Sequence, residues 1–250
     1  MGMPKGTQMG LRIGTNVAAM STQRNVEGSS RETNKAMARI SSGNRITSAG
    51  DDAAGLAISE NLGAQTRSLQ QAQRNANDGV SFVQTAEGGL NEVSNLLVRL
   101  RELSVQAASD TIGEDERGMI NTEFSSLKGE IDRISASSNF NGKALLDGSA
   151  GTLSFQVGTG ADAKDRIEYD SSKANSSTSA LGISGADVVS KDGAYSSMGS
   201  LDEAMNKVNS IRSGLGAMQN RLNSASNNSG VAFENLSAAR SRIADADLAT

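Results

Sequence analysis

The sequence predicts a mainly α-helical protein in which long antiparallel helices with heptad repeats form a coiled-coil-like rod, with a small β-hairpin region in the middle of the chain. Three observations predict this fold class. Aromatic residues make up only 3% of the chain, so burial has to come from aliphatic side chains and alanine, as between helices packed side by side. The single proline leaves long segments free to be helical, because proline breaks helix interiors. The third and strongest observation is a heptad pattern in two segments.

The first heptad segment begins at residue 62. Apolar or small residues recur at every seventh position, and again three positions further on, which is typical of a helix whose apolar seam faces another helix. The two sets are Leu62, Leu69, Ala76, Val83, Leu90 and Leu97, and Ala72, Gly79, Ala86, Val93 and Leu100. Alanine and glycine in the first half predict a closely packed partner.

The second heptad segment lies near the C-terminus. Its two sets are Leu201, Val208, Leu215, Leu222, Leu236 and Ile243, interrupted by Ser229, and Ala204, Ile211, Met218, Ala225, Ala232 and Ala239. Ser200 and Glu203 fit the S-x-x-E capping box, so we expect the helix to start there. A shorter helical stripe between the two segments consists of Ile120, Phe124, Leu127, Ile131 and Ile134. Gly113 and the acidic residues after it favour a helix start just before this stripe.

The rest of the chain is less periodic. Residues from about Arg12 to Ser42 have a sparse apolar stripe, which predicts a marginal helix that needs partners to become ordered. Alternating apolar and polar residues at 152–157 and 167–169 predict β-hairpins, and residues 171–179 are interpreted as a polar loop. The resulting division is residues 1–11 as an extension or disordered start, 12–45 as an N-terminal helix, 46–138 with 200–250 as a helical rod, and 139–199 as a small β-rich middle region.

Composition excludes several classes of function. The chain has no histidine and no cysteine, which removes the usual zinc ligands, disulfides and the bases of nucleophilic catalysis. We therefore expect no enzyme activity, no catalytic residues, no cofactor and no metal. A net charge of −4 argues against nucleic acid as a partner. No apolar stretch is long enough for membrane insertion, and the polar start predicts export without a cleaved signal peptide.

Two adjacent acids, Asp51 and Asp52, form the only carboxylate pair that invites a chemical interpretation. Side chains of neighbouring residues diverge, and no histidine or third acid follows at ligand spacing. We interpret the pair as loop and helix-cap residues, and we extend this interpretation to Asp245 and Asp247.

Several long motifs resemble those of bacterial flagellins. The segment from Ile40 to Ile58, ISSGNRITSAGDDAAGLAI, is similar to the flagellin motif in which a helix ends and a loop leads into the next helix. Other similar segments are QRNANDG at 73–79, TAEGGLNE at 85–92, RLRELSVQAA at 99–108, FNGK at 140–143, LGAMQNRL at 215–222 and NLSAARSRIADAD at 235–247. The resemblance covers residues 12–150 and 200–250 in the family's order.

The resemblance implies a structural subunit of the bacterial flagellar filament. Such a subunit polymerises through packed N- and C-terminal helices and transmits motor torque for swimming. The implied partners are other flagellin subunits, the junction and cap proteins of the filament, an export chaperone and the flagellar type III export apparatus. The implied location is the secreted, extracellular flagellum. Two alternatives stay open: a hook–filament junction protein, and a non-flagellar coiled-coil adhesin or interaction protein.

The resemblance also singles out candidate contact residues. In flagellins, the segment that matches residues 99–103 contacts neighbouring subunits and is also read by the flagellin-sensing Toll-like receptor, which is therefore a possible partner. Arg99, Leu103 and Glu123 match receptor-contacting positions, whereas Val98 departs from a well-known agonist, which has glutamine there. The full set of candidates for subunit or receptor contact is Leu90, Leu97, Arg99, Arg101, Glu102, Leu103, Glu123, Leu215, Asn220, Arg221 and Leu222.

Flagellins usually continue beyond the S-R-I-x-D-x-D motif into a last helix that pairs with the N-terminal one to form the inner core of the filament. The resemblance therefore implies that the helix at residues 12–45 lacks its partner in this sequence. We expect this polypeptide to be monomeric or only weakly associating.

Overall fold

A computed structural model describes residues 16–247, so the extension expected at residues 1–11 lies outside the described part. The helices are α1 (Val17–Ser42), α2 (Ala53–Ala107), α3 (Glu114–Ser137), α4 (Thr178–Leu181) and α5 (Lys191–Ala244), and the strands are β1 (Asn139–Phe140), β2 (Lys143–Ala144), β3 (Thr152–Gln156) and β4 (Arg166–Asp170). The prediction of a mainly α-helical chain with a small β-hairpin region is confirmed. The described part of the chain divides into two compact units, residues 16–64 with 236–247 and residues 65–235.

The core of the larger unit is the predicted heptad seam. On α2 the buried members are Ala72, Ala76, Val83, Ala86, Leu90, Val93, Leu97 and Leu100, and on α5 they are Leu201, Ala204, Val208, Leu215, Met218 and Leu222. Contacts between the two helices run in opposite chain directions. Arg101 pairs with Asp202, and Asn77 hydrogen-bonds Ser226. The two helices are therefore antiparallel within this unit.

Helix α3 begins where its sequence predicts. Gly113 is the N-cap, and the first turn carries Glu114, Asp115 and Glu116. Negative charge at a helix N-terminus is favourable because it opposes the positive end of the helix dipole. Ile120, Phe124 and Ile131 then point into the core, which confirms the apolar stripe.

The predicted start of α5 at Ser200 is wrong. The helix begins at Lys191, and Ser190 caps it by accepting a hydrogen bond on Oγ from the amide of Gly193 at 3.0 Å. Ser200 lies inside the helix, where its hydroxyl donates to the carbonyl of Ser196. Burial of Ala194, among other side chains, favours the earlier start, so packing outweighs the local capping signal.

The middle region contains two hairpins. Strands β3 and β4 pair antiparallel from Thr152 opposite Asp170 to Gln156 opposite Arg166, which confirms the main predicted hairpin. Strands β1 and β2 are joined by Asn141 and Gly142, whose φ angles of 49° and 75° are those of a tight hairpin turn.

Aromatic rings attach these hairpins to α2. The ring of Phe82 makes edge contacts with Phe140, Phe155 and Tyr169, at centroid distances of 6.0, 5.4 and 5.1 Å. Edge-to-face pairs of this kind add to the stabilisation from burial alone. The chain has few aromatic residues, and these four lie where the two hairpins pack against α2.

The interpretation of residues 171–179 as a polar loop is wrong in part. The segment forms a short 3₁₀ helix and enters α4, and Ser171 and Ser176 are fully buried. The carboxylate of Asp132 accepts hydrogen bonds from both the amide and the hydroxyl of Thr178 at 2.8 Å. The amide of Ser176 donates to the carbonyl of Leu146 at 2.8 Å. These hydrogen bonds satisfy polar groups of Ser176 and Thr178, whereas the buried hydroxyl of Ser171 has no hydrogen-bond partner within residues 16–247.

In the smaller unit, α1 is a regular helix with no buried side chain, and it ends at Gly43 with a φ of 69°. Its apolar residues Val17, Met20, Val26, Met37 and Ile40 are more than half exposed. This agrees with the sparse stripe, which gives α1 little to bury by itself. None of the helices within residues 16–247 combines the length and the apolar character needed to cross a lipid bilayer.

Candidate contact surfaces

The five leucines among the candidate contact residues lie in the subunit's own core. Their exposed fractions are between 0% and 2% for Leu90, Leu97, Leu103, Leu215 and Leu222. The heptad seam is filled by α2 packing against α5 in the same chain. We therefore revise the expectation for these side chains: they are buried inside the subunit.

Three of the predicted charged residues come together on the surface of α2 and α3. Arg99 donates from Nη2 and Nε to Glu123 Oε1, at 2.8 and 3.1 Å, and from Nη1 to Glu102 Oε2 at 3.1 Å. The hydrogen bond to Glu123 is the main reason that the pKa of Arg99 is raised. Both side chains of this pair are 48% exposed, so the patch is accessible.

Arg101 belongs to a different contact. Its Nε donates to Asp202 Oδ1 at 2.7 Å, which ties α2 to α5, and this hydrogen bond is the main cause of its raised pKa. Asp202 was not among the predicted residues. No local sequence signal identifies it, since the partners are far apart in the chain.

Asn220 and Arg221 lie away from that patch, beside two grooves of the larger unit. One groove of about 630 Å³ is lined by the apolar Leu181, Leu215 and Met218 and by charged side chains of both signs, including Lys207, Arg221, Glu168 and Asp170. The other, of about 390 Å³, is lined by Asn220, Arg221, Lys164 and Arg166 among others. Sequence reasoning missed Lys164 and Arg166, because only the folded hairpin brings them next to α5, and it also missed Lys207 on α5 itself.

Arg221 differs from the other predicted arginines in having no internal partner. Its side chain is exposed, and within residues 16–247 its guanidinium makes no hydrogen bond or ion pair. Arg99 and Arg101 already bind carboxylates of their own chain. Arg221 therefore keeps all its donors for a partner, and it is the candidate best suited to pair with an external carboxylate.

The acidic pair after α1 acts as predicted, in a loop and a helix cap. Asp52 Oδ1 accepts from the amide of Gly55 at 2.8 Å and caps α2. Asp51 accepts from the hydroxyls of Thr47 and Ser48 at 2.9 and 3.2 Å. The hydrogen bond from Thr47 is the largest cause of the lowered pKa of Asp51. Among residues 16–247, no group of three or more potential ligand side chains is arranged to hold a metal ion.

These features define a structural protein built from long paired helices with a charged outer surface. The chain matches the bacterial flagellin N-terminal helical region over residues 13–151 and the bacterial flagellin C-terminal helical region over residues 198–250. A flagellin of Halalkalibacterium halodurans is 45% identical over 237 residues, which are 95% of this chain and 86% of that protein. The chain belongs to the bacterial flagellin family, and its function is that of a structural subunit of the flagellar filament.

Solved structures agree with this assignment. The crystal structure of Bacillus cereus flagellin superposes with a TM-score of 0.55 at 31% identity, covering 62% of this chain and 88% of that one. The structure of a putative flagellar hook-associated protein from Vibrio parahaemolyticus gives a TM-score of 0.65 at 17% identity, covering 78% of this chain and 100% of that one. At that identity the second likeness shows a shared fold alone.

Proposed function

We propose that the subunit is a stiff, non-catalytic building block whose contacts with neighbouring subunits are made by polar residues on its outer surface. This proposal rests on the difference in burial between the apolar and the charged candidate contact residues. The leucines are internal, whereas Arg99, Glu123 and Arg221 are accessible. When each subunit binds the next through the same surface contact and the contacts do not close into a ring, the subunits form an open helical filament.

Arg221 is the first residue to test, because its charge is not neutralised inside the subunit. Lys164 and Arg166 line the same groove, which has no acidic side chain in its lining, although Lys164 is paired with Asp162 at 2.9 Å. This part of the surface therefore favours a carboxylate from the neighbouring molecule. The chain itself carries net charge −4, so acidic surface is available on a second copy. Arg99, Arg101, Glu102, Glu123 and Asn220 are proposed as the further polar contacts.

The test is charge reversal in a filament-growth assay, in a version of the chain extended by the C-terminal segment of the Halalkalibacterium halodurans flagellin, with growth from short filament seeds followed by electron microscopy. We expect Arg221→Glu to slow growth by roughly tenfold or more, because the reversed charge repels the carboxylate that the arginine would attract. Arg67→Glu is the matched control, since Arg67 is also exposed and lies on the other long helix. Unchanged thermal unfolding of both variants separates a lost contact from a lost fold. Equal growth of Arg221→Glu and the parent chain contradicts the assignment of Arg221.

The route out of the cell follows from the filament role. We propose that the chain is secreted by the flagellar type III export apparatus with an export chaperone, without a cleaved signal peptide, and that it meets the junction and cap proteins of the filament. Intact mass measurement of the secreted protein tests the route. A mass that lacks an N-terminal signal peptide contradicts it.

The flagellin-sensing Toll-like receptor is a further proposed partner, through the patch formed by Arg99 and Glu123. Leu103 is 1% exposed and offers no side-chain surface in this conformation, so the patch is smaller than the sequence resemblance implies. A receptor reporter assay with purified Arg99→Ala tests the proposal. We expect a weaker response than from Arg133→Ala, a control that removes an exposed pair on α3. Equal responses from the two variants contradict it.

A further inference from the structure

The loop after α1 lies directly beside the last residues of α5, and both belong to the smaller unit. The amide of Arg45 donates to the carbonyl of Ala244 at 2.7 Å, and the amide of Ala246 donates to the carbonyl of Gly43 at 2.8 Å. Between these bonds Asn44 and Asp245 face each other as an isolated antiparallel bridge. We call the two segments, residues 43–46 and 243–246, the clasp.

The side chain of Arg45 adds to this backbone pairing. Its Nη2 and Nε donate to the carbonyl of Ile243 at 2.7 and 3.3 Å. The last carbonyls of a helix have no partner inside the helix. Arg45 therefore satisfies two of them in succession, Ile243 with its guanidinium and Ala244 with its amide. Its positive charge also suits the negative end of the α5 dipole.

The same loop is fixed to the two helices that it connects. The side chain of Asp51 is 7% exposed, and its Oδ1 lies 3.7 Å from Lys35 Nζ and 3.8 Å from Arg39 Nη2, both on α1. Ile46 is 7% exposed and packs so close to Gly55 of α2 that a Cβ there would be 2.8 Å from its Cδ1. Three helix ends therefore meet at one loop, and the clasp connects that loop to α5.

We propose that Arg45 is a positioning residue that holds the end of α5 against the α1–α2 loop, so that the two segments of the clasp open and close as one cooperative unit. This goes beyond the role of filament subunit, because it assigns a conformational coupling between the two ends of the chain. The clasp has two backbone hydrogen bonds, and local structures of this size open readily. The charged donors of Arg45 shift that equilibrium towards the closed form.

Hydrogen exchange on the full chain measures the coupling. In Arg45→Ala, we expect exchange to rise roughly tenfold at both segments, including the amide of Ala246, because a hydrogen bond to a charged group is lost. Arg45→Lys retains a charged donor and should restore part of the protection. Arg242→Ala is the matched control: it removes an exposed arginine from the same turn of α5 and should leave the exchange at residues 43–46 unchanged.

A disulfide provides the rescue experiment. Asn44 and Asp245 form a pair of the type without direct hydrogen bonds, for which Cα atoms lie about 4.5 Å apart, within disulfide range. The chain has no cysteine, so Asn44→Cys with Asp245→Cys creates one defined bond. Oxidation should return Arg45→Ala to slow exchange at both segments. Faster exchange at residues 43–46 alone, or no recovery in the oxidised variant, overturns the proposal.

Discussion

Gly89 of α2 lies against Leu146, so that a Cβ on the glycine would be 2.8 Å from Leu146 Cδ1 and 2.8 Å from Ser138 Oγ. Leu146 is fully buried and cannot move without disturbing the core. The preceding residue, Gly88, has open space around the same position. Two adjacent glycines of one helix therefore face opposite environments.

This difference predicts opposite effects of the same substitution. Gly88→Ala should raise the free energy of unfolding by about 0.5–1 kcal/mol, because alanine has the higher helix propensity. Gly89→Ala should lower it by about 1–3 kcal/mol, because the added methyl group overpacks the core. Urea denaturation of the two variants measures both values. If the free energy of unfolding rises by a similar amount in both variants, the side chains of Leu146 and Ser138 can move aside with little loss of stability.

Tyr169 gives the fold a dependence on alkaline pH. Burial raises the pKa of its phenol from 10.0 to about 12, and its hydroxyl donates to the carbonyl of Leu145 at 3.1 Å. Since the pKa is higher in the folded state, the contribution to stability is complete below pH 10 and is lost as the pH rises towards about 12. Unfolding measured across this range should show the loss in the parent chain and less of it in Tyr169→Phe.

Tyr195→Phe is the control for this titration, because the second tyrosine of the chain is 54% exposed. It should leave the alkaline dependence close to that of the parent. If Tyr195→Phe removes as much of the dependence as Tyr169→Phe, the burial of Tyr169 is not its source.

The ion pair between Arg101 and Asp202 should contribute little to stability compared with the seam beneath it. The side chains are 44% and 49% exposed, so water screens their attraction. Leu97 on the same helix is fully buried, and Leu97→Ala should cost about 2–5 kcal/mol. A double-mutant cycle with Arg101→Ala and Asp202→Ala measures the coupling of the pair. A coupling as large as the loss in Leu97→Ala would contradict this ranking.

The sequence predicts those parts of the fold that depend on local periodicity. The seams containing Leu90 and Leu215 are found where the heptads place them, because a helix buries the face on which its apolar residues recur. The start of α5 is not predicted correctly, because Ser190 and Ser200 both carry capping signals and only packing decides between them.

Other features depend on contacts between distant residues and leave no local signal. Burial of Ser176 depends on Leu146, and the fixed position of Thr178 depends on Asp132. The candidate leucines were expected to contact neighbouring subunits, because the periodicity does not say whether a seam is filled by the same chain or by another. The structure assigns these leucines to the same chain.

Seeded growth tests the central claim, that this flagellin is a filament subunit with its leucine seam inside and its contact surface outside. Two samples would be added to short filament fragments: this polypeptide, and a version extended by the C-terminal segment of the Halalkalibacterium halodurans flagellin. We predict that electron microscopy will show long filaments from the extended chain, and that Arg221→Glu in that chain will suppress them. If the extended chain does not lengthen the seeds under conditions in which the Halalkalibacterium halodurans flagellin does, the account is contradicted.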